Sequence, residues 1–170
     1  DPLQYQVTTI AANGSFSPAN PMVNHGDSQV FTVTADEGYQ LTGVTGCGGT
    51  LEGNTFTTST ITAACSVEAT FEEKTYTVTA TVQGDNGMIS GENLEGVGHG
   101  DVRELTVTPS EGYEVNTISG CGGSLNVDGT TYTTGEIVAD CEVVVSFVEG
   151  GAGPTGAFWN EFNWDQANWQ

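Results

Sequence analysis

Four cysteines are the residues whose type and spacing most directly promise chemistry, and that chemistry is oxidation to disulfides. Cys47 and Cys121 each follow a Gly and precede Gly-Gly, while Cys65 and Cys141 each open a run of alternating apolar residues. Structural zinc favours close pairs such as Cys-x-x-Cys or a neighbouring His, and neither is present. Bridges Cys47–Cys65 and Cys121–Cys141 are the natural reading, with four free buried thiols as the alternative. Bridges of this kind imply an oxidising space, extracellular or at the cell surface. Each closes a loop of modest length and is worth roughly 3 kcal/mol in the chain-entropy account.

The other reactive residue types give no constellation. His25 and His99 both stand before Gly-Asp, as turn residues ahead of a strand, without a nucleophile or acid fixed beside both copies. Neither a Gly-x-Ser-x-Gly elbow nor a phosphate-cradling Gly-x-x-x-x-Gly-Lys is present, so no catalytic residues are assigned and an enzyme is not expected. Asp36-Glu37 and Glu72-Glu73 are adjacent, which on a strand points them to opposite faces. Gly84-Asp85-Asn86-Gly87 lacks the downstream bidentate Glu of a calcium loop. No cofactor is expected; calcium at a seam between the repeats described below, held by Glu72, Glu73 or Asp101, is the alternative that hard-cation chemistry allows. Asn13-Gly-Ser15 fits a glycosylation acceptor, a short pattern that recurs by chance.

Charge sets the partners aside by class. Two basic residues, Lys74 and Arg103, face twenty-two acidic ones, for a net charge of −20. Such a chain repels phosphate backbones and anionic lipid, so nucleic acid and membrane surfaces are excluded as partners. No apolar run approaches the ~18 residues of a membrane span. The remaining partners are other protein chains, copies of itself, or polysaccharide.

The elements that carry the cysteines occur twice. Tyr5-Gln-Val-Thr returns as Tyr76-Thr-Val-Thr, His25-Gly-Asp as His99-Gly-Asp, and Phe31-Thr-Val-Thr as Leu105-Thr-Val-Thr. Glu37-Gly-Tyr returns as Glu111-Gly-Tyr, and Gly46-Cys-Gly-Gly as Gly120-Cys-Gly-Gly. The offset grows from 71 at Tyr5/Tyr76 to 74 at Cys47/Cys121 and 76 at Cys65/Cys141, which reads as small insertions in turns. Period-two alternation marks strands throughout, with Thr on the outer face: Phe31, Val33 and Ala35; Tyr76, Val78, Ala80 and Val82. Cys65, Val67, Ala69 and Phe71 share one face, as do Cys141, Val143, Val145 and Phe147. Asn13-Gly14, Asn86-Gly87, Gly53-Asn54 and Asp128-Gly129 signal turns, the last two inside the disulfide loops. Each Cys-to-Cys segment therefore reads as a short hairpin clamped at its base, with arms near Thr50-Leu51 and 55–58 in the first copy.

Taken in order, Tyr-x-Val-Thr, Gly-Asp, Phe/Leu-Thr-Val-Thr, Glu-Gly-Tyr, Gly-Cys-Gly-Gly and Cys-x-Val-x-x-x-Phe resemble the divergent bacterial surface repeat related to the internalin B-type repeat. The resemblance covers about 5–71 and 76–147. It implies a small β-rich module, somewhat like a β-grasp unit, strung in tandem on secreted or surface proteins, and it brings no catalytic residues with it. The expected fold is all-β: two tandem small β-sheet repeats, β-grasp-like or sandwich-like, each with one internal disulfide. Their bounds are 1–73 and 74–149, followed by a Gly-rich linker and Trp-rich tail at 150–170.

The tail has no twin. Phe158, Trp159, Phe162, Trp164 and Trp169 crowd into it, including all three tryptophans. Three readings compete: it covers a sheet edge of its own chain, docks on a neighbouring chain by strand addition, or opens a further domain. The expected function is a spacer, presentation or adhesion stalk outside the cell. A self-assembling fibre whose aromatic tail docks on the next copy is the first alternative. A polysaccharide-binding module with the tryptophans as platform is the second.

Overall fold

Alternating Thr and apolar residues become strand in both repeats. The computed structural model describes residues 2–151. In the first repeat the strands are β1 (Gln4–Ala11), β2 (Gly14–Ser17), β3 (Met22–Asn24), β4 (Val30–Ala35), β5 (Tyr39–Gly46), β6 (Thr50–Glu52), β7 (Thr55–Thr57) and β8 (Cys65–Glu73). They form two sheets, ordered β3-β1-β8-β5 and β2-β4-β7-β6. In the first sheet β1 runs parallel to β8, from Val7 opposite Cys65 to Ala11 opposite Ala69, and β5 pairs antiparallel with β8 on its other side. A parallel pair needs a long crossover, commonly a helix. No helix occurs among the described residues, and β2 through β7, drawn from both sheets, make up the crossover.

One apolar cluster serves both sheets. Val7, Val23, Val44, Val67 and Ala69 come from the first sheet, and Phe16, Phe31, Val33 and Phe56 from the second, joined by Ile61. Thr32 and Thr34, between Phe31, Val33 and Ala35, are exposed, so the expected Thr face is present. Phe16 meets Phe31 edge to face at 5.5 Å, the arrangement aromatic quadrupoles prefer.

The second repeat contributes β9 (Thr75–Tyr76), β10 (Val78–Gln83), β11 (Gly87–Gly91), β12 (Val97–Gly98), β13 (Glu104–Pro109), β14 (Tyr113–Gly120), β15 (Ser124–Leu125), β16 (Thr131–Thr133) and β17 (Cys141–Glu149). Its sheets run β10-β17-β14, β11-β13-β16-β15 and β12-β9. Sequence repeats and compact units are cut at different places. The first unit holds the residues through Val78 together with Asn93–Val102 and Gly135–Cys141; the second holds Thr79–Glu92, Arg103–Thr134 and the residues from Glu142 on. Leu105, Val107, Tyr132, Val143 and Val145 are buried in the second unit.

Asn13-Gly14 and Asn86-Gly87 are turns, as expected, but not hairpins. Asn13 and Asn86 take the left-handed conformation (φ 67 and 76), and the chain then leaves one sheet for another: β2 pairs with β4, and β11 with β13. A phenylalanine near the end of each repeat packs where these turns pass. The Phe71 ring lies over Gly14 and the Phe147 ring over Gly87, where a Cβ would collide with either. No helix among the described residues is long and apolar enough to cross a membrane.

Candidate functional site

The cysteine clamp is built from backbone that few residues tolerate. Gly46 has φ +116, and a Cβ there would strike the Ser66 carbonyl oxygen; Cys47 follows in the left-handed region at φ 45. The turn closes with the Gly49 N–H donating to the Gly46 oxygen at 3.0 Å, while the Cys47 oxygen accepts the Ser59 hydroxyl at 2.8 Å. The Cys47–Cys65 bridge spans 5.6 Å between Cα atoms and joins the end of β5 to the start of β8. Between the two sulfurs, β6 and β7 form the expected hairpin, with Leu51 opposite Phe56. Cys121 and Cys141 are bridged likewise, giving one disulfide per repeat, and β15 and β16 form the second hairpin with Leu125 opposite Tyr132.

Two threonines secure these hairpins, and nothing in the alternation singled them out. Thr58 and Thr134 are buried, and their hydroxyls accept the Gln29 and Arg103 N–H groups, both at 2.9 Å. In the second unit Tyr132, 1% exposed, takes the place that Phe56 takes in the first. Its hydroxyl donates to the Gly120 oxygen at 2.7 Å, and burial pushes the phenol above its ordinary range of 10.0.

The two histidines, read from sequence as turn residues, do sit in turns, and each also packs on a tyrosine. His25 lies against Tyr5 and His99 against Tyr76, both with ring centroids 5.9 Å apart. The signal was available, since Tyr and His recur together at matched positions of each repeat. Around His99 the first unit adds more. Tyr76 Oη lies 3.3 Å from Nδ1, Glu37 Oε1 lies 3.9 Å from Nε2, and the ring covers Gly38. The Lys74 N–H donates to the Gly38 oxygen at 2.7 Å and the His99 N–H to the Lys74 oxygen at 3.1 Å. Glu37 is almost wholly exposed, so water screens its pairing with His99.

An open groove of about 530 Å³ adjoins this turn, lined by Gln40, Glu72, Glu73, Lys74, Thr75 and Tyr76. Of the carboxylates considered for calcium, Glu72 accepts a hydrogen bond from the Gln40 amide, while Glu73 and Asp101 both approach Gly98. Among the described residues no group of three or more His, Cys, Asp or Glu could hold a metal ion. A second groove, of about 350 Å³, lies in the second unit between Pro109, Tyr113, Val115 and the turn after Leu125. Phe158, Trp159, Phe162, Trp164 and Trp169 lie outside the described residues.

A family model described as the divergent InlB B-repeat domain matches residues 5–75 and again 76–150. Neither a curated protein nor a solved structure matches. The surface-repeat family and the two bridges are consistent with an extracellular or surface location. The same spaced motifs, the same bridge and the same Tyr–His pair thus occur twice in tandem, and the chain belongs to the divergent InlB B-repeat domain family.

Proposed function

We propose that this surface-type repeat module serves as a mechanical spacer that presents other parts of an extracellular or cell-surface protein. The observation that carries this reading is the parallel ladder between β1 and β8. The first and last strands of the repeat are neighbours running in the same direction. Tension applied at the two ends therefore pulls them past each other, loading all the ladder hydrogen bonds together instead of one at a time. The Cys47–Cys65 bridge starts at the first residue of that ladder and removes the hairpin from the extensible length. The residue that follows β8 is held as well: Lys74 is hydrogen-bonded through both its N–H and its carbonyl, so the force path does not pass through a slack tether.

Pulling single molecules of the full chain from its two ends tests this. Discrete force peaks are expected under oxidising conditions. Adding reductant should lengthen the first repeat's release by the residues between Cys47 and Cys65, a separation of 18, or about 60 Å of contour. Smooth extension without peaks in the oxidised chain would refute the mechanical role.

A further inference from the structure

The second repeat carries a feature that the first lacks. Across the disulfide-enclosed hairpin the offset between repeats grows from 74 (Leu51 to Leu125) to 76 (Phe56 to Tyr132), so two residues are inserted in its turn. The first repeat turns on Gly53-Asn54 with no apolar residue at its tip. The second turns through Asn126, Val127, Asp128, Gly129 and Thr130. Its shape is fixed from within: Asn126 Oδ1 accepts the Thr130 and Thr131 N–H groups at 2.9 and 3.0 Å, and the Gly129 N–H donates to the Asn126 oxygen at 3.1 Å. That construction holds Val127 fully exposed, at 102%. An apolar side chain set on a rigid turn loses free energy to water unless something covers it.

Below Val127 lies the groove of about 350 Å³, whose apolar lining includes Leu125, Val115, Tyr113 and Pro109, with Glu114 and Asp128 among its residues. Its volume reaches the lower bound of ligand sites, about 300 Å³. The chain leaves the last strand beside it. The Gly150 N–H donates to the Gly112 oxygen at 2.8 Å, which places Gly150 beside the residue preceding Tyr113, and Tyr113 lines the groove.

We propose that this groove is the docking site for the aromatic sequence 158–169 of the same chain. From Gly151 to Phe158 is seven residues, a reach of up to about 25 Å, so the tether does not limit access. A tether this short also sets an effective concentration near the millimolar range, which favours the chain's own segment over a free competitor. The chemistry matches as well. Phe and Trp rings bury large apolar area against Val127, Leu125 and Tyr113, and an indole N–H finds acceptors in the Glu114 and Asp128 carboxylates. This inference is independent of the spacer reading, since a mechanical repeat needs no occupant in the groove.

Trp159, Trp164 and Trp169 are the only tryptophans of the chain, so intrinsic fluorescence of the full protein reports on this segment alone. Emission to the blue of free tryptophan in water, with reduced acrylamide quenching, is expected for the wild type. Val127→Asp should shift the emission back to the aqueous value, while Val127→Leu should keep the blue emission. Val127 is fully exposed, so both variants should fold, which the far-UV spectrum checks. Aqueous emission in the wild type, or blue emission retained in Val127→Asp, overturns the proposal. Blue emission lost on dilution also overturns it, because the occupant would then be a second copy.

Discussion

Tyr132 is the residue where the two repeats differ most usefully. The same slot holds Phe56 in the first repeat; what Tyr132 adds is a hydroxyl that donates to the Gly120 carbonyl, beside the Cys121 clamp. Tyr132→Phe should cost about 1 kcal/mol near neutral pH, the ordinary net worth of such a bond. The raised phenol has a second consequence. Its contribution is fully present below the unfolded value of 10.0 and is lost as the pH rises through the higher folded value, because the unfolded chain releases that proton first. Urea midpoints measured on the alkaline side should therefore fall more steeply for the wild type than for Tyr132→Phe. Parallel slopes for the two proteins would show that the phenol does not titrate differently on folding.

At the scale of elements, the open sides of the sheets are the hazard, since unpaired strand edges recruit other strands. β5 and β14 are end strands of their sheets among the described residues, and each carries a bulge, at Thr42 and at Asn116. Thr42 Oγ1 donates to the Thr70 oxygen at 2.9 Å, which holds the extra residue in place. Deleting Thr42 would bring Leu41 and Gly43 into continuous register with Phe71 and Thr70 and flatten the edge. That variant should fold and then self-associate with rising concentration, as seen by light scattering; a deletion variant as monomeric as the wild type would show that the bulge does not guard the edge. Such bulges were not legible in the sequence, because one extra polar residue, Thr42 or Asn116, leaves no local mark in these strands. The strands, the two clamped hairpins and the pairing of the cysteines were legible, since period two and the matched Gly-Cys-Gly-Gly motifs are local signals. Asn13-Gly14 was legible as a turn but not as a passage between sheets, because the residue packed over it, Phe71, is more than fifty residues away. The Tyr–His pairs and buried Thr58 and Thr134 depend on long-range neighbours in the same way.

Across the whole molecule, electrostatics opposes compaction. With twenty-two acidic residues and two basic ones, most carboxylates have no cation to pair with, and a net charge of −20 repels itself in the folded state. Raising ionic strength from about 10 mM to 150 mM shortens the screening length from roughly 30 to 8 Å, so the urea midpoint should rise over that interval. A midpoint that falls with salt would mean that specific ion pairs outweigh the general repulsion. The pairing of β1 with β8 carries a further implication for the order in which a repeat assembles. The partner of Val7 is Cys65, about 60 residues downstream, so a polypeptide emerging N-terminus first cannot zip its central strands until nearly the entire repeat has appeared. The thiol that completes the covalent link arrives with that same strand, and oxidation and closure are therefore timed together, late, and after the hairpin between the sulfurs has had the chance to form.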